Sequence, residues 1–235
     1  TMAGKEEQEI LLIQVINEAV KKSEKNAISI KFSNGFRLNH ITNASKKERI
    51  AWYRHEPYTD VVLLSNTGKT YNLSLKDIGG APSMAGGGIA GMEMVATGLV
   101  GTFCKRLRDK YIEMGYKKGD EIPEGGAKIP DFRKNKLVTG TTSIGGPISH
   151  MYIGPKIVLS TSMGDELSLN GDMYSASNYA SSHTFYIRSR KRRAELLFDP
   201  DKKDGRGYYS IYDKINRRLV INDEPPASTS IMVHL

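Results

Sequence analysis

Asp60 opens the apolar run DVVLLS, and Lys76 closes the run YNLSLK that follows it, with the turn formers Asn66, Thr67 and Gly68 between them. A carboxylate and an amine brought to one point suit phosphodiester hydrolysis. The carboxylate can hold Mg²⁺ against a scissile phosphate, and the lysine can orient or deprotonate the attacking water and offset charge in the transition state. By spacing alone, an ordinary hairpin with a solvated lysine accounts for the same residues.

The turn decides whether the two side chains meet. In TYNLSLK the alternation is strict: Tyr71, Leu73 and Leu75 share one face, and Asn72, Ser74 and Lys76 share the other. A three-residue loop of Asn66, Thr67 and Gly68, with glycine left-handed, sets Asp60 opposite Ser74 and Lys76 one pleat further on. A two-residue turn sets Asp60 opposite Leu75, on the wrong face. The chemistry therefore requires the odd register or a bulge.

The elements that must carry these residues are legible in outline. EEQEILLIQVINEAVKK, residues 6–22, has acids in its first turn, lysines in its last, and Leu12, Ile13, Ile16, Ala19 and Val20 on one face, so it predicts a helix. Glu9 falls on that apolar face and Glu18 points away from it. AISIKF at 27–32 predicts a strand, Asn34 and Gly35 a turn, and a short helix is expected from near Ser45. Strands are expected at 60–65 and 70–76, then the glycine-rich GGAPSMAGGGIAG, then a helix over about 92–114. Beyond residue 115 the chain turns loop-like and then β-rich, in KIVLST, HTFYIRS, AELLF, YYSIYD, RLVIN and TSIMVHL. Residues 160–182, rich in Ser, Asn, Met and Gly, read as a surface excursion.

EPYTDVVL followed by YNLSLKDIGGAPSMAGGG resembles the PD-(D/E)XK nuclease superfamily, in particular phage-encoded members with a Ser-Leu-Lys variant of the motif. The similarity spans residues 56 to about 95, and helix, strands, helix is similar in order to the superfamily core. It implies an α/β fold with a restriction-endonuclease-like mixed sheet flanked by helices; the β-rich C-terminal elaboration lies beyond its reach and is read from the strand-like runs alone. Residues 1–125 would form the nuclease-like core and 126–235 the elaboration, packed as one unit. The activity implied is metal-dependent DNA endonuclease chemistry, with Asp60 binding Mg²⁺ or Mn²⁺ and Lys76 serving the attacking water.

Ser74 stands where the motif usually has Glu or Asp. Serine coordinates a divalent cation weakly, so Ser74 is expected to act through hydrogen bonds to groups around the metal, and the missing charge must come from elsewhere. Glu9 is the first candidate, because an unpaired carboxylate on a buried face is costly; a hydrated first-turn glutamate is the plainer reading of the same residue. Glu93 and Glu56 are rivals, and Asp77 points to the opposite side if the strand continues.

A length of 235 residues favours one elaborated domain. A formal net charge of +8 favours a polyanionic partner, with solubility as the plainer reading, and the resemblance implies that the partner is DNA. RSRKRR supplies Arg188, Arg190, Lys191, Arg192 and Arg193 for phosphate contact, with Phe185 or Tyr186 positioned to stack on a base; a solvated strand end would read the same way. Lys105, Arg106, Arg108 and Lys110 form a weaker basic set. No apolar run approaches the roughly 18 residues of a membrane span, and the single cysteine, Cys104, excludes an internal disulfide, so an intracellular site of action is expected, which the phage resemblance narrows to a host cytoplasm or a phage particle. A homodimer is compatible with these residues. The five histidines lack metal-ligand spacing, and His55 is read as a neighbour of the site rather than its base. GGGIAG at 86–91 fits the dinucleotide glycine pattern only weakly, since no strand immediately precedes it. The alternatives to an endonuclease are a phage structural or DNA-binding protein that keeps the fold without catalysis, and a nucleotide-binding domain centred on the glycines.

Overall fold

The computed structural model describes residues 4–50, 56–77, 94–117, 126–188, 209–213, 218–222 and 230–234. The chain divides into two units: residues 1–82 with 138–182, and residues 83–137 with 183–235.

In the first unit, helix α1 spans Gly4–Lys22. Leu12 and Ile16 are fully buried and Ala19 and Val20 nearly so, while Glu18 is exposed, as the 100° spacing requires. Full burial of a Leu or Ile contributes about 1.5–3 kcal/mol, so this stripe alone fixes which side of α1 faces the sheet. That sheet has eight strands: β1 (Ile28–Lys31), β2 (Arg37–Lys46), β3 (Val61–Ser65), β4 (Thr70–Asp77), β6 (His150–Gly154), β7 (Ser160–Met163), β8 (Glu166–Leu169) and β9 (Asp172–Ser175). Their order is β7-β8-β1-β2-β3-β4-β6-β9. β1 pairs with β8 and β4 with β6 in parallel, and the remaining pairs are antiparallel, so the sheet is mixed. The protein is α/β, as expected.

Two expectations fail here. The segment around Ser45 is strand, not helix: β2 continues to Lys46. Its buried residues Leu38, Ile41 and Ala44 recur every third position, which mimics a helical stripe. In a strand that spacing arises because the pairing shifts between Ile41 and Asn43 and His40 adopts φ 62°, so the pleat changes phase. Residues 160–182 are not an excursion either. They supply β7, β8, β9 and helix α4 (Ala176–Ser182), with Leu167, Leu169, Met173 and Tyr179 buried. Their serines and asparagines make the segment look like loop, but short strands need only alternate residues to be apolar.

The second unit contains α2 (Leu99–Glu113), a sheet ordered β13 (Ser230–His234), β10 (Thr184–Arg188), β5 (Gly126–Lys128), and the hairpin β11 (Tyr209–Asp213) with β12 (Arg218–Asn222). Helix α3 (Asp131–Thr139) begins in this unit. Val95, Leu99, Phe103, Tyr111, Ile129 and Phe185 are buried. Among the described residues no helix is long and apolar enough to cross a membrane.

Candidate active site

The β3–β4 hairpin takes the odd register. Val61 faces Leu73 and Leu64 faces Thr70, with Ser65 N–H donating to Lys69 C=O at 2.9 Å to close a loop of Asn66, Thr67 and Gly68. Gly68 has φ +81°, the left-handed conformation that the third position of such a loop demands. Continued by one residue, this register sets Asp60 against Ser74.

Asp60 does not extend the ladder, however. Its N–H donates to Leu73 C=O at 2.8 Å, so Asp60 and Val61 both address Leu73, which bulges the strand. Its carboxylate Oδ2 then accepts from Leu75 N–H at 2.8 Å. The side chain thus occupies the sheet position that a carbonyl would otherwise fill. Leu75 lies between Ser74 and Lys76, so the carboxylate sits beside the stretch of β4 from which both side chains leave.

The approach to Asp60 is held by residues 142–145. Tyr58 N–H donates to Ile144 C=O at 3.0 Å, and Thr59 donates to Gly145 C=O from both N–H, at 3.2 Å, and Oγ1, at 2.7 Å. Gly145 has φ +82°, and a Cβ there would overlap Pro57, so the close approach needs glycine. The sequence reading missed this clamp and also β6, which runs beside β4; Gly-Gly-Pro at 145–147 was the available signal for the turn.

α1 brings Glu9 to the same place. Glu9 is only 6% exposed, and its Oε2 lies 3.7 Å from Lys46 Nζ. Lys46 is the register partner of Val61, and Lys47 N–H points to Asp60 C=O at 3.4 Å, so the end of β2 meets the start of β3 under α1. The neighbouring residue Gln8, 1% exposed, donates to Gly154 C=O at 3.1 Å and to Lys76 C=O at 3.4 Å. Asn17 exchanges two hydrogen bonds of 2.8 Å with the Ala44 backbone. These side-chain-to-backbone ties fix the helix over the sheet and hence fix Glu9.

Glu9 and Asp60 line one pocket of about 20 Å³. A water needs roughly 10–15 Å³, so the pocket suits one water or one cation. Glu56, exposed, lines it too, as do Lys46, Lys47 and Arg49. Carboxylate oxygens are hard donors, and Mg²⁺ commonly takes one or two carboxylates and keeps several waters, so this donor set suits it. Among the described residues no group of three or more His, Cys, Asp or Glu is placed to hold a metal ion. A metal here would therefore rest on two carboxylates and water.

Ser74 and Lys76 are not among the residues lining that pocket. Leu73 and Leu75 pack into the core with Leu12 and Ile16 of α1, so by alternation Ser74 and Lys76 project from the other face. Ser74 is buried and Lys76 half-buried. Asp77 lies 3.7 Å from Lys156. Arg188 closes β10, whereas Arg190, Lys191, Arg192, Arg193, Glu93, His55 and the GGGIAG segment lie outside the described residues. Comparison of the chain with protein-family models, with curated proteins and with solved structures found no match in any of the three.

Proposed function

We propose that the chain is a metal-dependent DNA endonuclease built on a restriction-endonuclease-like core. The observation that carries this reading is the convergence of Glu9 and Asp60, from elements far apart in sequence, on one cation-sized pocket. Asp60 and Glu9 would hold Mg²⁺ or Mn²⁺, which supplies Lewis-acid polarisation of the scissile phosphate and a water of lowered pKa. Asp60 is kept in place by its Leu75 hydrogen bond, so no rotamer search precedes binding. Lys46, Lys47 and Arg49 at the pocket rim would draw a phosphodiester toward it. The resemblance gives Lys76 the task of orienting the attacking water and Ser74 that of holding a water or phosphate oxygen; both leave β4 on the face away from the Glu9–Asp60 pocket, so loss of cleavage in Lys76→Ala is the test of that assignment.

A second reading has its own support. Serine at position 74, the Lys46–Glu9 pair and the emergence of Lys76 from the opposite pleat all fit a DNA-binding protein, such as a phage structural component, that retains the fold without cleavage. Plasmid nicking in Mg²⁺ or Mn²⁺ separates the two. Endonuclease action predicts cleavage by the wild type that is lost in Asp60→Asn, Glu9→Gln and Lys76→Ala. Cleavage that persists in all three would remove the site assignment, and salt-dependent binding without cleavage would select the second reading.

A further inference from the structure

We infer that the second unit carries a separate anchor for a single nucleic-acid strand, a basic cavity that takes a backbone phosphate beside an aromatic platform for its base. The cavity measures about 180 Å³ and is lined by Arg106 of α2, Lys128 of β5 and Arg133 of α3, with Thr97, Thr102 and Phe103. At a liquid share of about 30 Å³ per water it holds about six, which is room for a phosphate group and far more than the Glu9–Asp60 pocket offers.

Among the described residues no ion pair joins Arg106, Lys128 or Arg133 to an acid, and the adjacent Asp131 lies instead 3.5 Å from Lys134. Three cations around one concavity repel one another, and a polyanion relieves that repulsion while releasing its counterions. The N-terminal turn of α2 also carries no acid and no side-chain cap, so its dipole adds to the same sign.

Phe132 selects the kind of strand. It is 79% exposed, and the Arg133 guanidinium carbon stands 5.3 Å from its ring centroid. The same arginine therefore faces the cavity and covers part of an aromatic ring that packs into no core. Bases in a duplex already stack on one another, whereas an unpaired base offers a free face to such a ring. β10, which ends at Arg188, pairs with β5 so that Arg188 lies against Gly126 and Tyr186 against Lys128.

Binding at this anchor needs no metal, so it stands or falls separately from the cleavage site. The test is fluorescence anisotropy in EDTA with a labelled oligothymidylate of about a dozen residues. The wild type is compared with Arg106→Gln/Arg133→Gln, Lys128→Gln and Phe132→Ala, each checked for an unchanged thermal melt. We expect the double variant to bind at least tenfold more weakly, with its salt slope lowered by about 1.4, or 0.7 per lost phosphate contact, and Phe132→Ala to bind about tenfold more weakly. Unchanged affinity and slope in the folded variants would overturn the proposal. So would full displacement by millimolar inorganic phosphate or thymidine monophosphate, which marks a free-phosphate site, or equal affinity for a duplex of the same length.

Discussion

The carboxylate of Asp60 accepts a hydrogen bond from the backbone N–H of Leu75 at 2.8 Å, across the mouth of a bulged hairpin. One bond thereby ends the β3–β4 ladder and presents a carboxylate at the end of two central strands, so Asp60 has a structural duty as well as the proposed chemical one.

The two duties can be separated by substitution. Asp60→Ala leaves a buried N–H without an acceptor and should cost about 1–3 kcal/mol, read as a lower urea midpoint. Asp60→Asn keeps a carbonyl oxygen for Leu75 and should lose less than half of that. Both should abolish Mg²⁺-dependent nicking, by roughly three orders of magnitude if a bound cation supplies several kcal/mol.

Asn17 should matter to activity without touching the pocket. Its side chain satisfies both the N–H and the C=O of Ala44, so Asn17→Ala should destabilise by about 2 kcal/mol. Because this bond pair fixes α1 on β2, nicking at saturating DNA should require more Mg²⁺ in the folded variant. An unaltered Mg²⁺ titration would show that Glu9 is placed by other contacts.

The hairpin loop sets the register of the site. Gly68→Ala meets no atom within 4 Å but must hold φ +81°, so it should cost about 1 kcal/mol and leave activity intact. Paired melting and nicking assays read both outcomes.

His150 should make the first unit acid-sensitive. Its ring lies edge-on to Phe36 at 5.5 Å and to Tyr71 at 5.4 Å. Burial, and then the charge of Lys69, hold its pKa below the ordinary 6.5. The unfolded chain therefore binds the proton more readily than the folded one, so the stability contribution is full above pH 6.5 and is lost as pH falls below that value toward the folded pKa. The melting temperature should drop across that window in the wild type and drop less in His150→Phe; equal drops would assign the effect to other groups.

What the sequence by itself determined was local and periodic. The apolar stripe of α1 named Leu12, Ile13, Ile16, Ala19 and Val20, all buried but Ile13, which is half-buried, and set Glu9 on the same face, because a helix repeats every 3.6 residues whatever it packs against. Asn66-Thr67-Gly68 offered two loop lengths; the structure takes the three-residue one, with Gly68 at positive φ, and a bulge then sets Asp60 with Val61 against Leu73. Only the tertiary structure decided the rest. Bulges gave β2 a helix-like spacing, and alternating polar strands over 160–175 had the composition of loop, so neither period was visible until partners were in place. The meeting of Glu9 with Asp60, the clamp of Thr59 on Gly145 and the parallel seat of β6 beside β4 join residues far apart in the chain. No local period encodes such pairings; they follow from burying α1 on one face of a sheet whose strands come from both halves of the sequence.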